Sequence, residues 1–301
     1  MIHMLPADLL RRPVRVLVVG CGGTGSAIAA GLPYLHQAMI VAGHPGGLDV
    51  TLMDGDIISA TNCVRQPFSQ AEIGLSKAIV LVTRLNLFWG FSWTAVPQHL
   101  TPKSDISKID VLIGCVDSRA ARQTISRLVE GMRSLVSYWL DIGNRSDSGQ
   151  FLLGQPLNGR NRRSTARLRT AAELLPEIIE SDLDDDEEPS CSALASLERQ
   201  EPFVNQTLAY HALGLLAHLF RYGRIEHHGA FVHVGQNRVQ PLPVDSDVWR
   251  KLRRRGRRYA AARKVADRRA RGYGASTANC HLNHKMAALN HNVTADDEAN
   301  T

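Results

Sequence analysis

The strongest pattern in the chain is Val14–Val19 (VRVLVV), a valine-rich run of the kind buried on both faces of a parallel sheet. It leads straight into Gly20-Cys-Gly-Gly-Thr-Gly25, and the small residues of Ser26–Leu35 predict a helix. A second strand is predicted at Asp49–Met53, closing on Asp54-Gly-Asp56. In Glu72–Leu87, Ile73, Ala78, Val80, Leu81 and Leu85 recur at roughly helical spacing. Strand patterns follow at Ser92–Pro97 and Val111–Cys115, a helix at Arg119–Gly131, and two more strands at Leu135–Leu140 and Gln150–Leu153. Strands alternating with helices in this way predict a doubly wound, mostly parallel α/β sheet.

Between residues 156 and 190 the periodicity fails. Asn158–Arg169 is basic and polar, and Glu180–Glu188 is a dense acidic run, so the stretch predicts a long mobile crossover loop. Phe203–Tyr222 is then an apolar helix, and Ala230–Val234 with Arg238–Leu242 forms a hairpin around Gly235-Gln-Asn. These segments define one domain over residues 1–245. Residues 246–301 read as a basic, flexible extension, partly helical.

Composition sharpens the picture in two places. Apolar residues are 44% and charged residues 21%, which allows a substantial core. No run of 18 apolar residues occurs, and Met1–Arg12 lacks signal-peptide order, so a soluble cytoplasmic protein without a membrane segment is expected. The five cysteines are scattered and form no C-x-x-C pair, which speaks against a disulfide framework or a four-cysteine zinc site. The net charge of +6 is uneven: Arg250–Arg271 holds twelve Lys or Arg and one Asp, so the rest of the chain is mildly acidic. Any nucleic-acid binding therefore belongs to residues 250–271 alone.

The candidate chemistry gathers at predicted strand ends. Gly20, Gly22 and Gly25 form G-x-G-x-x-G after a strand and before a helix, the Rossmann-like arrangement in which backbone N–H groups face phosphate. Gly23 lies within the same loop. Taken alone this suits NAD-dependent oxidoreductases as well as ATP enzymes, with Asp54 placed to accept ribose hydroxyls. Asn62-Cys-Val-Arg65-Gln66 and Lys77 then add cations, which hydride transfer does not need and phosphoryl or nucleotidyl transfer does. Asp117, in Cys115-Val-Asp117-Ser118, stands at another strand end as a natural Mg²⁺ ligand, or as the cap of the next helix.

In order and approximate spacing these motifs resemble the ATP site of the ThiF/MoeB and ubiquitin-activating superfamily, over roughly residues 13–245. More narrowly, Asp141-Ile-Gly-Asn144, Pro189-Ser-Cys191-Ser, Arg199-Gln and Phe203-Val-Asn-Gln206 are similar to the ThiF-family protein of the bacterial PRTRC cassette. The resemblance implies an adenylyltransferase, working as a homodimer, that uses ATP and Mg²⁺ to activate the C-terminal carboxylate of a small ubiquitin-like β-grasp protein. A conjugating or sulfur-transfer protein would act downstream. Asp54, with Asp56 beside it, would hold the ribose; Asn62, Arg65, Gln66 and Lys77 the triphosphate; and Asp117 the metal.

Cys191, after the acidic run and before an apolar helix, resembles the thioester-forming cysteine of ubiquitin-like activating enzymes. The nearby acids disfavour its thiolate. Cys21 and Cys115 read as packing residues, and Cys63 lies near the site. Two readings from other classes compete: an NAD-dependent oxidoreductase, and a nucleotide-sensing plasmid-maintenance protein that binds nucleic acid through residues 250–271.

Overall fold

Val14–Val19 forms β2 as the sequence predicts, and its side chains alternate between two apolar layers. Val16 and Val18 face one core, Leu17 and Val19 the other. This two-sided burial explains why the run shows no polar alternation. The computed structural model describes residues 1–164, 166–180 and 201–272.

Two short strands, β1 (His3–Met4) and β8 (Arg224–Ile225), pair with each other. The main sheet contains β3 (Leu48–Met53), β4 (Thr94–Val96), β5 (Val111–Gly114), β6 (Tyr138–Asn144), β7 (Ser148–Gly154), β9 (His227–His233) and β10 (Arg238–Pro243) alongside β2. Their order is β10-β9-β7-β6-β5-β2-β3-β4. The five strands from β6 to β4 run parallel, and β7, β9 and β10 add an antiparallel end. The chain leaves β2 toward β3 and β4, then returns to the other side of β2 for β5 and β6. A doubly wound sheet has its crevice at that reversal, outside the strand C-termini.

One face is covered by α1 (Gly23–Val41), α3 (Lys77–Trp89) and α6 (Val204–Tyr222), whose buried Ile28, Leu32, Val80, Leu81, Leu208 and Leu216 share the core with Val16 and Val18. The other face is covered by α4 (Arg119–Val129), where Ile125 and Val129 meet Leu17, Leu112 and Trp139. A single turn, α2 (Asn62–Arg65), lies between β3 and α3, and another, α5 (Ala171–Leu174), follows β7. No helix among the described residues is long and apolar enough to cross a membrane.

Two element boundaries and one loop differ from the sequence expectation. The helix predicted from Glu72 starts at Lys77, because Gly74 is left-handed (φ 91°) and Ser76 caps the new helix by accepting from the Ile79 N–H. The strand predicted at Leu135–Leu140 occupies Tyr138–Asn144 instead. The N–H groups of Ser137 and Tyr138 both donate to the Asp110 carbonyl, which sets the later register, and Leu135 is left exposed. The described part of the expected mobile loop, residues 156–164 and 166–180, carries more fixed contacts than its polar composition suggests. Buried Asn158 donates to the carbonyls of Val129 and Val136, Asn161 to those of Val136 and Pro156, and Arg167 pairs with Glu173. These side chains satisfy backbone oxygens in place of water.

The chain divides into one unit at Met1–Arg258 and a second beginning at Tyr259. That division falls within helix α7 (Ser246–Gly272).

At the strand N-termini, remote from the crevice, Asp110 is buried and binds two arginines. Arg12 Nη1 donates at 2.6 Å, Arg15 Nε at 3.1 Å, and the Arg15 backbone N–H at 3.0 Å. Burial pushes its carboxyl pKa up, but the two guanidiniums and the backbone N–H outweigh that and hold it at about 2. A carboxylate depressed in the folded state stabilises fully above its unfolded pKa of roughly 3.9, and that contribution disappears as pH falls through the folded value. Asp110→Asn should lower stability at neutral pH by about 2 kcal/mol through the lost charge-assisted bonds. Urea unfolding from pH 4.5 down to 2 should show a flatter acid loss in the variant; an identical pH profile would remove Asp110 from this role.

Candidate functional site

The C-terminal ends of β2, β3 and β5 bring the predicted motifs to one edge. Gly20 follows β2 with φ 92°, a left-handed conformation that glycine adopts without steric cost. A Cβ there would lie 2.7 Å from the Cys115 carbonyl oxygen, so this loop and the one leading to Asp117 touch. Gly25 packs more tightly still: a Cβ would stand 1.8 Å from the Gly20 oxygen. Gly22 caps α1 without a side-chain hydrogen bond, so the helix presents its first N–H groups and positive dipole end at the strand edge.

Asp54 is buried behind this loop. One carboxylate oxygen accepts the Cys21 N–H and the other the Asp56 N–H at 2.7 Å, which ties β3 to the glycine loop. Lys77, only 6% exposed, donates to Asp56 Oδ2 at 2.9 Å, and its backbone N–H donates to the Asp56 carbonyl. A buried ammonium is thereby fixed at the first residue of α3 by a partner that is itself half open to solvent. His99 Nε2 stands 3.7 Å from the other Asp56 oxygen, a neighbour the sequence did not suggest.

The short turn α2 carries Asn62 and Arg65, and Gln66 follows as its C-cap. Asn62 Oδ1 accepts the Ser59 N–H at 2.9 Å, so the side chain closes its own turn. The Gln66 amide lies near Gly22, and its buried Oε1 accepts no hydrogen bond from the described residues. Arg65 and Gln66 join Ser26, Phe203, Asn205 and Tyr210 around a cavity of about 430 Å³.

Asp117 is exposed at the end of β5. Ser118 caps α4, accepting the Ala121 N–H at 3.2 Å, which leaves the Asp117 carboxylate available. The loop is held from beneath by Arg122, which donates to the carbonyls of Asp117 and Ile142 and to buried Asp141 at 3.3 Å. Burial raises the Asp141 pKa and Arg122 opposes the rise.

Cys21 and Cys115 have their thiol pKa values driven up, first by burial and then by neighbouring aspartates, so both are poor nucleophiles. Cys63 is half-buried, with its sulfur 3.7 Å from the Ser59 oxygen. Cys191 lies outside the described residues. The sequence motifs include Thr24, Asp141 and Asn205 but assign none of them a role, and Arg122 lies outside every motif.

A phosphate-bearing nucleotide fits this donor set: a glycine cradle that side chains would fill, a helix N-terminus, a fixed ammonium and an open carboxylate. Among the described residues no three His, Cys, Asp or Glu are arranged to hold a metal. A cation at Asp117 would complete its shell with phosphate and water, as Mg²⁺ commonly does.

Residues 8–136, which include every motif from Gly20 to Asp117, match the ThiF family. The adenylyltransferase and sulfurtransferase uba4 of Aspergillus terreus is 34% identical over 131 residues, 40% of this chain and 24% of that protein. The chain is similar in fold to the crystal structure of PaaA (13% identity, TM-score 0.51, covering 77% of this chain and 64% of that one). It is likewise similar to Escherichia coli MccB crystallised with MccA (17% identity, TM-score 0.51, 79% and 65%). The chain thus spans about a quarter of the curated relative, and under two thirds of these solved chains.

Arg122→Met should leave Asp141 a buried, uncompensated charge and destabilise the protein by roughly 3–5 kcal/mol. Adding Asp141→Leu should recover most of that loss in urea unfolding. A double variant no more stable than Arg122→Met would show that the pair is not the source of the cost.

Proposed function

We propose that this chain is an adenylyltransferase that activates the C-terminal carboxylate of a small, glycine-terminated ubiquitin-like protein, with ATP as its second substrate. The observation that carries the reading is the chain of contacts from Lys77 through Asp56 and Asp54 to the Cys21 N–H. It fixes a buried cation relative to a phosphate-cradling loop, which suits charge developing on phosphate and serves no purpose in hydride transfer. The ThiF match over the same residues and the adenylyltransferase activity named for uba4 support it.

In this reading a carboxylate oxygen of the partner attacks the α-phosphorus, a new C(O)–O–P bond forms, and the bond to the β-phosphate bridging oxygen breaks to release pyrophosphate. Lys77 and Arg65 face the growing negative charge; Gln66 and Asn62 complete the phosphate contacts; Asp54 orients the ribose. Asp117 would hold Mg²⁺, which supplies charge neutralisation when bound. In a second step the Cys191 thiolate would attack the acyl carbon and AMP would depart, leaving a thioester. The narrower PRTRC likeness rests on sequence motifs alone, two of which contain Asn144 and Asn205, residues that hydrogen-bond each other.

A second, separate reading concerns α7. Arg250, Lys251, Arg253, Arg254, Arg255 and Arg258 are all exposed on one continuous helix, an array that favours polyanionic nucleic acid.

Partner-dependent ATP–pyrophosphate exchange tests the first reading. Asp117→Ala and Lys77→Ala should each cut exchange by on the order of 10²–10³ while the protein stays folded; undiminished exchange in both would refute the assigned roles. For α7, binding to a DNA duplex should weaken steeply with salt. Changing Lys251, Arg253 and Arg254 to Gln should reduce the log–log salt slope by about 3. Salt-independent binding, or an unchanged slope, would exclude the helix as an electrostatic site.

A further inference from the structure

We infer that Asn205 is a positioning residue that clamps the phosphate-facing turn of α1 to the end of β6; the inference rests on the nucleotide-site reading above. Asn205 is the second residue of α6, yet its side chain leaves that helix and is buried against the glycine loop. Its Oδ1 accepts two hydrogen bonds, from Thr24 Oγ1 at 2.8 Å and from Asn144 Nδ2 at 3.0 Å. The Nδ2 side lies over Gly23, where a Cβ would approach to 2.3 Å. One amide thus touches two successive residues of the turn whose N–H groups meet phosphate, and joins them to the strand beside β5.

The entry to α6 is built to deliver this side chain. The Glu201 N–H donates to the Ser146 carbonyl at 2.7 Å in the turn between β6 and β7. Phe203 then takes a left-handed backbone conformation (φ 68°), unfavourable for a bulky residue, immediately before the helix begins. An ordinary helix start would need neither feature. The same bend leaves the Phe203 ring 72% exposed, so burial of the ring does not compensate the strain. The backbone cost is offset elsewhere, and the two-bond clamp at Asn205 is the contact it makes possible.

A clamp on the glycine loop acts on nucleotide affinity, because phosphate contacts to a displaced α1 turn weaken in ground and transition states alike. Asn205→Ala and Thr24→Val should each weaken ATP binding about tenfold in calorimetry. The pair together should weaken it no more than about threefold beyond either alone, since both remove one shared contact. Asn144→Ala, which spares the Thr24 bond, should cost about threefold. In pyrophosphate exchange, KM for ATP should rise with kcat changed by less than about threefold. Thr24→Val removes a single hydroxyl at constant shape, so it reports even if Asn205→Ala fails to fold. Unchanged ATP affinity in folded Thr24→Val, or effects of the two variants that multiply, would overturn the clamp. Wild-type protein that binds ATP and shows these shifts, but supports no partner-dependent exchange, would contradict the adenylation reading and leave the clamp standing.

Discussion

Asp54 is the constraint on which the site depends. It is a buried carboxylate whose two oxygens accept backbone N–H groups from different elements, Cys21 in the glycine loop and Asp56 after β3. Because an unpaired buried carboxylate is costly, the two loops are held at a fixed separation. Asp56, placed by that contact, in turn fixes the Lys77 ammonium. The helix that carries Lys77 cannot begin earlier, since Gly74 and Ser76 set its start. A cation, a helix N-terminus and a glycine loop are therefore held at fixed positions on one edge, the kind of preorganisation that electrostatic stabilisation of a transition state requires.

The two ends of the parallel strands divide the tasks. At their N-termini, Asp110 joins Arg12, Arg15, Ser137 and Tyr138 in a network that ties β2, β5 and β6 together. Beyond their C-termini β2 and β5 lead to Cys21 and Asp117, and β6 ends in Asn144; each of these residues bonds a polar side chain from elsewhere, Asp54, Arg122 and Asn205. Precision at the open edge is inherited from register at the closed one.

Much of this was legible in the sequence, for identifiable reasons. β2, α6 and the β9–β10 hairpin carry strong periodic signals and lie close to where the pattern places them. The glycine loop, Asp54 and Asp117 could be placed together because a doubly wound sheet gathers its loops at strand ends, and Lys77 was singled out as a cation that phosphate chemistry needs. Residues 156–180 were not legible, because Asn158 and Asn161 spend their amides on backbone carbonyls and such capping has no period. Nor was Thr24 with Asn205, a contact spanning 181 positions that no local window contains. The start of β6 was misjudged because a main-chain bond to Asp110, not side-chain character, decides it.

In the proposed reaction a partner carboxylate becomes bonded to the α-phosphorus of ATP at this edge. The most direct test is isotopic. A glycine-terminated ubiquitin-like protein with its C-terminal carboxylate enriched in ¹⁸O is incubated with enzyme, ATP and Mg²⁺, the acyl group is captured by hydroxylamine, and the phosphorus products are examined by mass spectrometry. Attack at the α-phosphorus followed by acyl transfer leaves one ¹⁸O in AMP and none in pyrophosphate. Label appearing in inorganic phosphate, or AMP formed without label while hydroxamate accumulates, would contradict the account.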